Sequence, residues 1–267
     1  MIKKLLSNSY LALILCFLYA PIMLVIVFSF FNTSDFTFAN GFSFESYVQI
    51  FTSEKSEALL DALKNTLLIA AISSVIATVL GTIASIGMHY LPRRAKKLAE
   101  GLNQLPVINS EVVMAVSFMV FFVTFAFPEG YVRLIIAHVA FCTPYVVLSV
   151  MPRLAQMDSN IYEAALDLGA SPIKATGKVL LPYLAPAIGS GFVMAFTISL
   201  DDFIITQINK GASTGIDTLS TLIYSDARVQ GLEPFWFAVF SIIFVVVLTV
   251  LLFVNLKKST KKEENKI

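Results

Sequence analysis

The chain has 267 residues, 57% of them hydrophobic and only 14% charged, with a mean hydropathy of +0.80 and a net charge of +1. A soluble domain of this length needs more surface charge, and a near-neutral balance leaves no basic footprint for nucleic acid. Two histidines, with Cys16 and Cys142 in separate apolar runs, leave no zinc constellation and no expected disulfide, so the cysteines read as small buried fillers.

The hydrophobic residues come in blocks. About 20 residues at 1.5 Å rise cross the hydrocarbon of a bilayer, and the blocks predict six spans near 10–31, 66–90, 106–127, 131–151, 184–208 and 235–255. Lys3 and Lys4 ahead of the first block imitate a signal peptide. The apolar run continues through Phe31 without a small-residue cleavage site, and Leu15 stands where a lipoprotein signal wants Gly or Ala before Cys16, so the segment is expected to stay as a span. An even number of spans puts both termini on one side. That side and its loops hold 14 of the 19 basic residues, including Arg93, Arg94, Lys96, Lys97, Arg153, Lys174 and Lys178, and the other side holds 5. The positive-inside rule makes the first side cytoplasmic.

Three segments then face outward: an aromatic-rich loop at 32–65, a tight turn at Pro128–Gly130, and a loop near 209–234. The expected division is 1–60 for the first span and its outer loop, 61–256 for the transmembrane core, and 257–267 for a charged cytoplasmic tail expected to be unstructured. No internal repeat supports an inverted-repeat carrier.

Between the fourth and fifth spans lies "SNIYEAALDLGASPIKATGKVLLPYLAPA", Ser159 to Ala187. Asp158 or Ser159 can cap a helix, with Asn160 and Glu163 imitating a capping box. Ile161, Ala164, Ala165 and Leu168 then share one face. Gly169 is placed to end the helix in a left-handed turn, Ser171-Pro172 restarts one, and Pro182 is expected to break it near Leu181. Physically this is either a connector lying on headgroups or a helical elbow that another protein can grip.

The spacing Glu163-Ala164-Ala165, Gly169, then Val179-Leu180-Leu181-Pro182 resembles the EAA signature of ABC-importer permeases, E-A-A-x3-G-x9-I-x-L-P, with Val179 for isoleucine the single departure. The resemblance implies an all-α membrane protein of the type I (MetI-like) ABC importer permease fold. In it, residues 152–185 form a loop coupling to a separate ATPase through Glu163, Ala164, Ala165, Gly169, Leu181 and Pro182. The chain has no phosphate-binding loop of its own, because Gly177-Lys178-Val179 lacks both the upstream glycine and the hydroxyl residue. ATP and Mg would therefore sit in a partner ATPase, with no cofactor and no enzyme activity in this chain.

An aspartate near a membrane helix centre costs about 2.5–3.5 kcal/mol on insertion scales, so it persists where it has a use or a partner. The fifth block carries two in a row, Asp201 and Asp202, in "FTISLDDFIITQ". Gly191, Ala195, Ser199 and Asp202 fall on one helical face, with Thr197 and Asp201 on the neighbouring strip. This is either tight helix packing around paired carboxylates or a wall of a transport path, and two adjacent carboxylates favour a cationic cargo. The motif "SLDDFIIT" resembles that of spermidine/putrescine permeases, particularly their C-type subunits, as do "YAPIMLVIVFSF", "SEVVMA", "HVAFCTPYVV" and "YEAALDLGAS".

That resemblance implies that Ser199, Asp201, Asp202 and Glu111 contact or guide a polyamine. It also implies a paralogous B-type permease partner, two ATPase subunits and an extracytoplasmic polyamine-binding protein. Glu111 replaces the Asp of those subunits, and an acid in a first helical turn is also favoured by the helix dipole. Tyr47, in the outer loop, could supply cation–π contact. His138 reads as a hydrogen-bonded packing residue, Pro144 as a kink, and Ser74, Thr78, Gly81 and Ser85 as a stripe packing on the fifth span. The alternatives are the same architecture carrying another small solute, or a self-sufficient carrier or membrane enzyme.

Overall fold

The computed structural model describes residues 2–31, 33, 38, 41–212 and 214–264, with side chains described within 9–249 apart from Ser159, Gln230 and those gaps. Among the described residues the chain is all-helical: α1 (Ile2–Phe28), α2 (Glu45–Thr52), α3 (Lys55–His89), α4 (Arg93–Ile108), α5 (Glu111–Thr124), α6 (Tyr131–Ala155), α7 (Ser159–Asp167), α8 (Pro172–Ala175), a π turn (Thr176–Leu180), α9 (Leu181–Asp201), α10 (Ile204–Asn209), α11 (Leu219–Gln230) and α12 (Pro234–Glu264). Among the described residues four helices are long and apolar enough to cross a membrane, Ser9–Phe28, Lys55–His89, Tyr131–Ala155 and Pro172–Asp201, and a bent pair, Arg93–Ile108 with Glu111–Thr124, makes five if it is one span.

The expected third span is replaced by α4 and α5, which meet at a bend of 106°. Ser110 causes the break: its backbone is extended and its side chain accepts from the Val113 N–H, starting a new helix at Glu111. α5 alone has 14 residues, about 21 Å of helix against roughly 30 Å of hydrocarbon. Of the sixth expected span, the apolar stretch Pro234–Thr249 has described side chains; those beyond it, including the lysines of the tail, lie outside the described residues. Helix continues to Glu264, through most of the tail expected to lack structure.

The chain divides into two compact units, 1–59 with 223–267, and 60–222. In the second, α6 is the central element and remains one helix through Pro144 and Pro152. Both small-residue stripes close on it. A Cβ on Gly81 would lie 2.7 Å from Val146 Cβ, and one on Gly191 would lie 3.1 Å from Val146 Cγ1. The α3 stripe therefore packs on the fourth expected span rather than the fifth, because a glycine facing a β-branched side chain lets the two backbones approach closely. Buried between helices, the stripe's hydroxyls turn to their own helix: Thr78 donates to the Ser74 carbonyl at 2.6 Å and Ser85 to that of Gly81 at 2.7 Å. Phe122, Phe141, Val146, Val150, Leu154, Leu180, Leu184 and Ile205 fill the core around α6.

The first unit packs α12 against α1 and α2. Lys55 Nζ donates to Asp226 at 2.9 Å and Glu233 at 2.6 Å, and the buried Trp236 indole also donates to Asp226, so one lysine ties the start of α3 to the ends of α11 and α12. Cys142 is buried as expected, but Cys16 is exposed: α1 buries little of its surface within this chain.

Candidate functional site

The helix of the fifth expected span stops earlier than its hydrophobicity suggests. α9 ends at Asp201, Asp202 is extended (φ −62°, ψ 133°), and α10 starts again at Ile204. Asp202 makes the break, since its carboxylate takes the free donors of the new helix. Oδ1 accepts from the Ile205 N–H at 3.2 Å; Oδ2 accepts from the Thr206 N–H at 2.9 Å and from the Thr206 hydroxyl at 2.8 Å. Its backbone carbonyl accepts from Ser220 Oγ at 2.8 Å. The Asp202 side chain is 1% exposed, as is that of His138, whose Nε2 lies 3.6 Å from Asp202 Oδ2.

The two adjacent carboxylates thus part company. Asp201 is exposed and lines a cavity of about 460 Å³ with Glu111, Phe141, Tyr145, Thr197, Ile198, Phe203 and Ile204; Asp202 borders it too, but with its carboxylate buried. Glu111 reaches it because α5 begins beside α6, close to Phe141 and Tyr145. Asn209 of α10 holds this arrangement by donating to the Ala115 carbonyl at 3.0 Å. The cavity has two carboxylates from different helices and aromatic walls, a setting for an elongated cation: charge pairing for the ends, ring faces and alkyl contact for the middle.

Ser199 is 4% exposed, bonded to His138 Nδ1 at 2.8 Å, and is not among the lining residues. Tyr47 lies in the other unit, half-buried in an aromatic cluster with Phe30 and Phe44; its hydroxyl pairs with Ser29 Oγ at 2.7 Å. Sequence reasoning placed His138 as a hydrogen-bonded packing residue; both ring nitrogens are indeed bonded, but it missed that they touch residues on both sides of the α9–α10 break. The polar neighbours it needs are 61 and 68 residues away.

The elbow is the second feature. Asp158 caps α7 by accepting from the Asn160 N–H at 3.0 Å. The helix ends with Gly169 at φ +85°, its N–H donating to the Leu166 carbonyl at 2.8 Å while the Ala170 N–H reaches that of Ala165 at 3.1 Å. This pair of bonds is the Schellman closure, and the left-handed φ favours glycine. Ser171 then caps α8 with Pro172 in its first turn.

The expected break at Pro182 does not occur, and the helix runs from Pro172 to Asp201. Proline has no N–H and its ring crowds the carbonyl four residues back. The chain accommodates it with the π turn, in which the Leu181 N–H donates to the Thr176 carbonyl. Ala175, Leu180 and Leu184 anchor this helix in the core, and Arg153 stacks on the Tyr183 ring at 4.4 Å. Glu163, Ala164, Gly169, Leu181 and Pro182 are exposed and Ala165 is half-buried. Ile161, Leu168 and Ile173 are uncovered apolar side chains, Leu168 to 89% and Ile173 to 85%.

A bundle of membrane helices with a broken span, a charged cavity and an exposed elbow describes the membrane component of an importer. Residues 77–262 match the family model described as "Binding-protein-dependent transport system inner membrane component", and the chain belongs to that family. It is similar to the spermidine/putrescine transport system permease protein PotC of Escherichia coli K12, 32% identical over 99% of this chain and 98% of that one. It also resembles the putrescine transport system permease protein PotI of the same strain, 34% identical over 82% and 78%. Among solved structures, a bacterial ABC transporter involved in import of the acidic polysaccharide alginate shares the fold with a TM-score of 0.71 at 20% identity, over 95% of this chain and 94% of that one. A chain of an amino acid ABC transporter aligns with a TM-score of 0.55 at 18% identity, over 82% and 99%. The protein is an ABC importer permease, a multi-pass component of the inner membrane.

Proposed function

We propose that this permease imports polyamines, forming half of a translocation path with a second, paralogous permease. Two ATPase subunits drive it from the cytoplasm, and an extracytoplasmic binding protein delivers spermidine or putrescine. ATP and Mg are held by the ATPases. Both termini face the cytoplasm, on the side with most of the lysines and arginines. The observation that carries the cargo reading is the cavity, where Glu111 and Asp201 project from different helices between the rings of Phe141, Tyr145 and Phe203. The near-full-length similarity to spermidine/putrescine permeases supports the same reading. Asp202 and Ser199 belong to this path through the break they hold, and Tyr47 through the outer aromatic cluster.

The elbow at 159–175 is the coupling element. Glu163, Ala164, Ala165 and Gly169 shape its contact surface, while Leu181 and Pro182 join it to α9. Closure of the ATPases moves it, and the unbroken helix from Pro172 carries that motion to Asp201.

The test is uptake of labelled putrescine and spermidine by the assembled importer. E111Q and D201N should each lower the rate roughly tenfold or more, equivalent to about 1.4 kcal/mol of lost charge pairing, with normal protein levels in the membrane. Unchanged polyamine uptake in both variants would assign the cavity to a different solute. Purification from the membrane with an ATPase attached distinguishes the importer from a self-sufficient carrier.

A further inference from the structure

His138 projects from the middle of α6 and is 1% exposed. Its two ring nitrogens touch opposite sides of the α9–α10 break: Nδ1 meets Ser199 Oγ at 2.8 Å in the last turn of α9, and Nε2 meets Thr206 Oγ1 at 3.0 Å in the first turn of α10. For an ionised Asp202 and a neutral His138, hydrogen-bond bookkeeping gives this chain one direction. A carboxylate only accepts, so the Thr206 hydroxyl donates its one proton to Asp202 Oδ2. The Thr206 oxygen is then left to accept from His138 Nε2–H. A neutral imidazole with its proton on Nε2 has an acceptor at Nδ1, which takes the Ser199 hydroxyl proton. Each group in the series Ser199, His138, Thr206, Asp202 is satisfied, in a buried place where an unsatisfied polar group is costly.

A packing residue needs none of this. A single ring that bonds both helix ends across a break holds the angle between them. That angle decides where Asp201 and Phe203, the residues on either side of Asp202, point. We propose that His138 is a positioning residue for transport: with Ser199 and Thr206 it clamps the α9–α10 break, so that Asp201 faces the cavity and Asp202 is kept out of reach of the cargo. Ser199 and Asp202 then act through geometry and Asp201 through contact. This rests on the cargo reading given above.

The experiment uses the complete importer in proteoliposomes and measures labelled putrescine moved per ATP hydrolysed. Mere destabilisation lowers the amount of active transporter but not this ratio. H138A should reduce the ratio at least tenfold, and H138Q, which keeps a donor at about the reach of Nε2, should restore much of it. S199A deletes one bond, and T206V deletes two, the one from His138 and the one to Asp202; both change shape little and should give smaller losses. Combined with H138A, S199A should add almost nothing, because the clamp is already open, whereas T206V should add the loss of its bond to Asp202. A wild-type ratio in H138A, or losses that multiply in the H138A/S199A double variant, overturns the proposal. Should H138A fail to assemble, S199A and T206V decide: a wild-type ratio in both counts against the clamp. If D201N lowers the ratio while the clamp variants do not, the cargo reading survives and this inference fails. If D201N has no effect, both fall.

Discussion

Two helix breaks lie in the same structural unit and are made in opposite ways. At Gly169 the backbone does the work: two main-chain hydrogen bonds close the end of α7, the surroundings are exposed, and no side chain from a distant element takes part. At Asp202 the side chains do the work: a buried carboxylate caps α10, and a histidine from α6 bonds both flanks. The first break can change its angle at little cost, since water replaces what is lost. The second cannot, because each donor it frees is buried. On the function proposed above, the elbow is gripped by a partner and the cavity holds a charge inside a membrane; these roles have different requirements, and each break suits one of them.

The largest effect should come from opening the buried break. D202A leaves the Ile205 and Thr206 N–H groups and the Thr206 hydroxyl without their acceptor. Orphaning buried donors costs about 1–3 kcal/mol apiece, so a loss of roughly 3 kcal/mol or more is expected, read as a lower thermal unfolding temperature in detergent or as failure to accumulate in the membrane. D202N keeps an acceptor oxygen and should fall between D202A and the wild type. Equal stability of D202A and the wild type would remove the distinction between the breaks.

The exposed break should respond differently. G169V forces a β-branched residue to φ +85°, a conformation that costs L-residues about 1–2 kcal/mol. No neighbouring atom stands within 4 Å of the added Cβ, so the strain can relax locally by re-aiming α7. The expected result is a nearly unchanged melting temperature with uptake reduced several-fold, because the elbow is presented at another angle. Normal uptake in G169V would detach the elbow from coupling.

The same contrast explains how much was legible in the sequence. The α7 turn was readable from Gly169, Ser171 and Pro172 because its causes are local: a residue tolerant of positive φ, a side-chain cap and a ring with preset φ, all within four positions. Asp202 was visible as an anomaly, a charge in an apolar run, but not as a helix cap, because the donors it takes, at Ile205 and Thr206, sit in a run whose hydrophobicity reads as one uninterrupted helix, and the histidine that bonds both flanks is on another element. The sequence grouped Asp201 and Asp202 by adjacency, and a change of backbone direction between them sends one into the cavity and the other into the core. The bend before α5 was also missed, since Pro106 and Ser110 sit in a stretch whose overall hydrophobicity reads as one crossing. The partner of the α3 stripe was misread for a related reason. Small residues announce close packing without saying which helix fills the gap, and Val146 of α6 fills it from two sides.

The smallest effect on stability should come from the apolar tip of the elbow, and it tests most directly what that tip is for. Leu168 and Ile173 flank the Gly169 turn, almost fully exposed. Burying an apolar side chain of this size is worth about 1.5–3 kcal/mol, and within this chain they realise almost none of it. Replacing both with serine should therefore leave the melting temperature of the isolated permease unchanged, with a slight gain in solubility. If the tip enters a cleft on the ATPase, the same double variant should weaken copurification of that subunit and lower uptake, while insertion in the membrane stays normal. The combination of unchanged fold and lost partner separates a docking knob from a connector. A connector lying on lipid would lose membrane contact but keep its ATPase, and uptake would follow the ATPase.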